Sequence, residues 1–336
     1  MNPIFSRTLK ALCTVAVAAL LSACGASSTV DPFVATRVIA FGDGFNNVDI
    51  HGSGVSTVRA TDTTANPIVY VTDDTIAGRI ATRYGIVVKQ VTATGGANPL
   101  AATGGFSYAT ATARVSDMAA QIDTFLTSAG GTVAKKDLIV IAVGNWDIYD
   151  AVLSGAASMD TSTTALVTAI QRLTDAGAEH VVVMPPINMA RTPWSTAYVT
   201  ANPGVTRSVI QNLSNTTSAS FNFMLLAKFT AAYRQDHKPV AVLDRTADFN
   251  AFAGSVDAGG NVIQNFSGIS LTNLATSVCT LSSNFAGCDL NSLIDGVGSI
   301  TYQTSVFADD INLTPVINRY LADRIIAGLV SFGWSP

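Results

Sequence analysis

The chain has three histidines, at positions 51, 180 and 237, and any imidazole chemistry must start from one of them. A Ser-His-Asp hydrolase needs an imidazole that touches the nucleophile and is oriented by a carboxylate. His180 opens the run VVVMPP and His237, in RQDHKP, precedes PVAVLD. Both therefore fall at the amino ends of strands, away from the ligand-binding face, and are expected to be solvated or locally bonded. His51 follows VIAFGDGFNNVDI and lies toward the carboxyl end of a strand, where α/β proteins place ligands. The tip of that loop offers Asp43 between Gly42 and Gly44, with no Ser, Thr or Cys beside it. Asp147 ends a second apolar run, and Asp309 and Asp310 precede a terminal helix; the ordinary role of each is a cap or turn partner. No phosphate-binding loop, dinucleotide fingerprint or zinc-ligand cluster is present, and the carboxylate spacing matches no calcium loop. Neither a cofactor nor a metal is expected.

The elements that must position these groups are legible from hydrophobic patterning. Residues 37–43 read as a strand with Arg37 at its mouth. Leu138–Val143 is a continuous apolar run, as in a parallel sheet covered on both faces. VVVMPP and PVAVLD read the same way, and VVKQVTATGG reads as a short strand entering a turn. Between them, Ile76, Ile80 and Tyr84 mark one helix, and Met118, Ile122, Phe125 and Leu126 another. STTALVTAIQRLTDAGAEH is a third helix, and residues 205–237 form one long helix or two. Ile317, Leu321 and Ile325 mark the last helix. Residues 104–115 are a small-residue segment suited to close backbone approach, residues 188–206 read as a loop, and residues 250–306 as loop-rich. Strands alternating with helices predict a three-layer α/β/α sandwich on a mostly parallel sheet, flavodoxin-like, in one domain over residues 37–332.

Composition narrows the class. With 336 residues and 48% hydrophobic content, a substantial core is expected. Only 12% of residues are charged and the net charge is −4, with no basic stripe, which argues against nucleic-acid binding. The N-terminus joins Arg7 and Lys10 to an apolar segment, Leu12–Leu21, too short to span a bilayer. It ends in Leu21-Ser22-Ala23-Cys24, which resembles a bacterial lipobox. Residues 1–23 are then a lipoprotein signal peptide, Cys24 the lipidated residue and residues 24–36 a tether. An outer-membrane lipoprotein of the cell envelope, facing periplasm or cell surface, is expected. Cys279 and Cys288 are left in CTLSSNFAGC. In an oxidising compartment a disulfide closing this loop is expected, contributing about 2–3 kcal/mol on loop-closure grounds. A metal pair is the weaker alternative, because no His lies nearby.

Four stretches resemble the GDSL, or SGNH, hydrolases, a lipase/esterase family. Gly42-Asp43-Gly44-Phe45 stands at the Gly-Asp-Ser-Leu loop, so the resemblance places Gly44 at the nucleophile. GGFSYATATARV resembles the second region, with Ala111 or Thr112 where a glycine N–H serves the oxyanion hole. Gly144-Asn145-Trp146-Asp147 resembles Gly-x-Asn-Asp, with Trp146 at the oxyanion Asn. Asp309-Asp310-Ile311-Asn312 resembles Asp-x-x-His, with Asn312 at the base. The resemblance implies the SGNH fold. The departures imply a non-catalytic or strongly impaired hydrolase-like lipoprotein with a binding or structural role, since Gly44 has no hydroxyl and an amide is no base near neutral pH. The alternative is an active esterase with rearranged catalytic residues. Asp43, Phe45, Asn145, Trp146, Asp147 and Tyr149 are the candidate binding residues for an unknown small-molecule, glycan or protein ligand, with Phe106 and Tyr108 as further aromatic cleft candidates. The membrane would be a partner through Cys24. Cys24→Ser is expected to move the protein from the membrane fraction to the soluble fraction; unchanged fractionation would remove the anchor.

Overall fold

Six short parallel strands carry the molecule, and alternation along them decides which side chains face which layer. The computed structural model describes residues 33–48, 59–62, 69–71, 75–91, 101–230, 239–253, 265–266, 269–279 and 303–334. The central strands β1 (Arg37–Gly42) and β6 (Asp137–Ala142) are buried at every residue. Val38, Ala40, Leu138, Val140, Val182 and Met184 join one core cluster, while Ile39, Phe41, Ile139, Ile141, Val181 and Val183 join the other. This period of two, buried on both faces, is what a parallel sheet between two helical layers requires.

The sheet order is β4-β5-β1-β6-β7-β8, where β4 is Val88–Gln90, β5 Gly104–Ser107, β7 Val181–Met184 and β8 Val240–Val242. All its pairings are parallel. Two small hairpins, β2–β3 (Arg59–Asp62, Val69–Val71) and β9–β10 (Asn265–Phe266, Ile269–Ser270), stand apart from it. The first core cluster takes Ile76 and Ile80 of α1 (Ile76–Thr82). The second takes Met118, Ile122 and Phe125 of α2 (Met118–Ser128). Helix α3 (Asn145–Ser154) adds Ile148 and Ala151 to the first cluster. Helix α4 (Asp160–Asp175) adds Leu166, Ile170 and Leu173 to the second. The remaining helices are α5 (Pro193–Ala201), α6 (Arg207–Thr230), α7 (Thr246–Ala253) and α8 (Pro315–Val330). Helix α6 gives Phe221 and Leu225 to the second cluster, and α8 gives Ile317, Leu321 and Ile325 to the first. The architecture is therefore the expected α/β/α sandwich.

Strand β1 is flanked by β5 and β6, both later in the chain, so the sheet reverses its order of addition there. Crevices at such a point, outside the strand carboxyl ends, are where open α/β sheets bind ligands. At the opposite end, Arg37 and Asp137 are register partners whose side chains form a buried bidentate ion pair at 2.5 and 2.6 Å.

Several elements differ from the sequence reading. Residues 188–206 are not simply a loop. A 3-10 turn at Met189–Arg191 leads into α5, because Thr192 accepts the Ser195 N–H and Pro193 occupies the first turn. Gly104–Ser107 is a full sheet strand: a Cβ on Gly105 would lie 2.7 Å from Val88 Cα, so glycine is what lets β5 approach β4. Helix α7 begins before the loop-rich segment. The segment 207–230 is one helix. Cys279 is buried and disulfide-bonded, while Cys288 and Cys24 lie outside the described residues, as do His51 and His237.

His180 is half-buried and locally bonded, to the Lys135 backbone, which is one of the two expected outcomes. Its ring stacks on Phe33 at 3.7 Å and meets the edge of Trp334 at 5.0 Å, with Nδ1 buried and unpartnered. Desolvation lowers its pKa to about 4, opposed by the neighbouring Glu179 charge. The unfolded chain then binds a proton that the folded protein refuses. Stability from this group is complete above about 6.5 and is lost as pH falls from there toward about 4. His180→Phe, which keeps a ring in the stack, is expected to flatten that slope. The check is the melting-temperature difference between the two proteins at pH 7.5 and at pH 4.5, with the wild type losing more on acidification. Comparing the variant with the wild type at each pH cancels other buried groups, such as Asp43, whose raised pKa gives the opposite slope.

Candidate functional site

The site is built by four loops at the carboxyl edge of β5, β1 and β6 and before α8. The first must turn sharply off β1. Gly42 does so with φ of +113°, where a Cβ would stand 1.8 Å from the Ala142 carbonyl oxygen. Gln121 of α2 fixes this point from the side: its Oε1 accepts the Gly42 N–H at 2.8 Å and its Nε2 donates to the Gly42 carbonyl at 3.0 Å. Asp43 follows, 1% exposed, accepting the Phe45 N–H at 3.2 Å and Asn145 Nδ2 at 3.1 Å. Burial pushes its carboxyl up to about 7 against the pull of these donors.

Gly44 sits at the centre. Its N–H donates to the Ala111 carbonyl at 3.1 Å. Trp146 Nε1 donates to the same oxygen, also at 3.1 Å. The sequence suggested that Ala111 or Thr112 would offer the site a backbone N–H. The Ala111 carbonyl accepts both neighbouring donors, while the Ala111 and Thr112 N–H groups make no backbone bond among the described residues. Thr112 turns its own carbonyl to Arg114 Nη1 at 2.6 Å.

On the far side, Asp309 is 4% exposed and accepts the N–H groups of Ile311 and Asn312 at 2.9 and 2.7 Å. Its second oxygen accepts Asn312 Nδ2 at 2.9 Å. Burial raises the Asp309 pKa, opposed by these bonds with Asn312 and Ile311. With its nitrogen held there, Asn312 points Oδ1 at Gly44: a Cβ on Gly44 would lie 2.6 Å from that oxygen. Residues 44, 111, 146, 309 and 312 are thus brought together, as the sequence pattern anticipated.

The candidate binding residues separate by exposure. Asp43, Phe45, Asn145, Trp146 and Asp147 are all buried, and only Tyr149 keeps part of its surface in solvent. Tyr108 is likewise core, while Phe106 is half-buried. Asp147 belongs to the framework. It accepts Val115 N–H and Ser162 Oγ at 3.0 and 2.8 Å, and burial raises its pKa against those bonds. Among the described residues no His, Cys, Asp and Glu group is arranged to hold a metal ion.

Three contributors went unread in the sequence. Arg114 lies over the Trp146 ring at 5.5 Å and grips Asp150 through two bonds at 2.8 and 2.9 Å. Trp194 meets Tyr149 at 4.8 Å, and Tyr198 stacks on Trp194 at 5.6 Å. The Thr-Pro-Trp start of α5 was the available signal for the last two.

The sequence matches the GDSL-like lipase/acylhydrolase family over residues 38–325. The chain belongs to this family. Two solved structures are similar to it. One is a lipolytic G-D-S-L family protein from Veillonella parvula, 13% identical over 67% of this chain and 87% of that one, with a TM-score of 0.37. The other is the acetyl xylan esterase AlAXEase, 12% identical over 87% of this chain and 99% of that one, with a TM-score of 0.42. No curated protein matches the sequence. Membership of the GDSL-like family rests on the sequence match over residues 38–325.

The contact between positions 44 and 312 is testable in this GDSL-like chain. Gly44→Ser is expected to destabilise the fold by about 1–3 kcal/mol, because the new Cβ overlaps Asn312 Oδ1 and crowds the Ala111 carbonyl. In an Asn312→Ala background the same change should cost less, by at least about 0.5 kcal/mol. Urea denaturation of the four proteins closes the cycle; equal losses in both backgrounds would show that the two positions do not press on one another.

Proposed function

We propose that this protein is a non-catalytic or strongly impaired GDSL-type hydrolase-like protein, anchored to the outer membrane through a lipidated Cys24 and acting by binding. In this reading Gly44 occupies the family's nucleophile position, Ala111 or Thr112 that of the oxyanion-hole glycine, Trp146 that of the oxyanion Asn, and Asn312 that of the base. The observation that carries it is the Ala111 carbonyl, which accepts both the Gly44 N–H and the Trp146 indole N–H. Ester hydrolysis by this family's chemistry needs preorganised donors aimed at a developing oxyanion. Here the Gly44 N–H and the Trp146 indole N–H are both spent on a protein oxygen, and that oxygen's lone pairs would repel an incoming negative charge.

Other observations support the same reading. Gly44 offers no hydroxyl, and the place where one would attach is crowded by Asn312 Oδ1. Asn312 keeps its bond to Asp309 but has no basic nitrogen, so no proton acceptor of the required kind stands at that position. Trp146 is 3% exposed and fills space a tetrahedral intermediate would need. In place of turnover, the site offers a rigid, closed frame with aromatic side chains at its margin. The disulfide closing the 279–288 loop belongs to the same proposal, as a brace suited to the envelope.

The purified protein is expected to show no turnover of p-nitrophenyl acetate above buffer and no covalent labelling by a fluorophosphonate. Restoring Ser at 44 together with His at 312 should leave turnover low, because Trp146 still blocks the oxyanion position. Adding Trp146→Asn to that pair should raise it by at least about tenfold, given the usual worth of one oxyanion donor. Fluorophosphonate labelling of the wild-type chain, at any residue, would overturn the proposal.

A further inference from the structure

We infer that the row of rings linking α3 to α5 is a platform for a neutral oligosaccharide, an inference that rests on the binding role proposed above. Trp146, Tyr149, Trp194 and Tyr198 follow one another at 5.2, 4.8 and 5.6 Å. The two indoles are the buried members, 3% and 7% exposed, and hold the row in place from below. The two phenols, one on each side of Trp194, are half-buried and keep ring surface in solvent. Among the described residues neither phenol hydroxyl has a protein partner, and neither is a buried orphan. Each is an apolar plate with a free donor and acceptor at its rim. That combination matches a pyranose ring, whose C–H face packs on an aromatic plane while its hydroxyls seek polar groups at the edge.

The polar surroundings decide the charge of the ligand. Arg114, over the Trp146 end, is held by both oxygens of Asp150. Arg207, near α5, donates to Thr196 Oγ1 at 2.7 Å and to the Ala190 carbonyl at 3.4 Å. The Arg114 charge is met by Asp150, so an anionic ligand at the Trp146 end would have to compete with that carboxylate, while Arg207 is held by neutral oxygens alone. A chain of sugar hydroxyls can share such paired groups without displacing them. An acyl chain would need an enclosed apolar slot, and Trp146 and Trp194 already fill the space beneath the row. The surface groove of about 580 Å³ between α2 and α4, lined by Ser116, Thr164, Ala165 and Arg172, has no aromatic plane to offer.

The test is calorimetric titration of the purified chain with chitohexaose, xylohexaose and maltohexaose, each to about 10 mM, with p-nitrophenyl acetate turnover read on the same samples. At least one hexasaccharide should bind saturably, and Tyr149→Ala and Tyr198→Ala should each weaken it by about tenfold or more. Tyr149→Phe and Tyr198→Phe, which keep the stack and guard against misfolding, should weaken it by about fivefold through the lost hydroxyl. Phe223→Ser, on the exposed face of α6, should leave binding unchanged. Failure of all three sugars to bind, or binding that survives both Tyr→Ala changes, overturns the inference. If no ester turnover accompanies that failure, the non-catalytic reading stands without it; if turnover does, both fall.

Discussion

The site depends on one buried carboxylate bridging loops that strands alone would leave independent. Asp43 comes from the end of β1 and receives Asn145 Nδ2 from the start of α3, just beyond β6. The other end of that amide, Asn145 Oδ1, receives the Ile187 N–H beyond β7. Three adjacent strand ends are thereby fixed through two side chains, each 1% exposed. The price is a desolvated carboxyl, visible as a pKa pushed up to about 7, and it is tolerated because the group's donors are supplied in place. With this bridge made, Gly44 and Trp146 have fixed positions relative to one another and their two N–H groups can converge on a single carbonyl.

The same device recurs at Asp309, before α8. A carboxylate that orients an imidazole needs an N–H to hold. Asn312 Nδ2 supplies one at 2.9 Å, so the Asp309 loop keeps its side-chain and backbone donors. What the amide cannot reproduce is a nitrogen lone pair on its far side. It turns an oxygen toward Gly44 instead, and the absent Cβ there gives that oxygen its room. Positions 44 and 312 therefore meet in volume. Asparagine keeps the orienting half of a histidine's role and gives up the basic half.

Much of the fold was legible because its central strands are buried on both faces, so residues 37–42, 137–142 and 181–184 announce themselves as apolar runs. The amphipathic helices α1, α2, α4 and α8 followed from their spacing. What escaped was structure specified by contact more than by pattern. Strand β5 is Gly-Gly-Phe-Ser, with little apolar content, and exists because Gly105 admits the backbone of Val88. Helix α3 starts immediately after a strand, so its first turn read as the strand's end. Helix α5 sat in a stretch whose Pro and Thr read as loop, although Thr192 and Pro193 are its cap and first turn. At the site, residue identities located Gly44, Trp146, Asp309 and Asn312. They could not say which way the Ala111 peptide faces, because backbone orientation in a small-residue loop leaves no trace in side-chain type. The ring packing of His180 escaped for a related reason: its partners Phe33 and Trp334 come from opposite ends of the described chain.

A catalytic residue lost by simple deletion leaves a hole, and holes in close-packed protein are destabilising in proportion to their volume. This site has no such hole at Gly44, where Asn312 Oδ1 fills the approach, nor at Trp146, which is 3% exposed with its N–H bonded. Packing of that quality leaves little empty space at these two positions. It also moves the accessible chemistry. Once an indole occupies the interior, Tyr149, one turn along α3, and Tyr198, across Trp194, become the aromatic groups that still meet solvent. The buried indoles are thus the same groups against which the two part-exposed phenols pack.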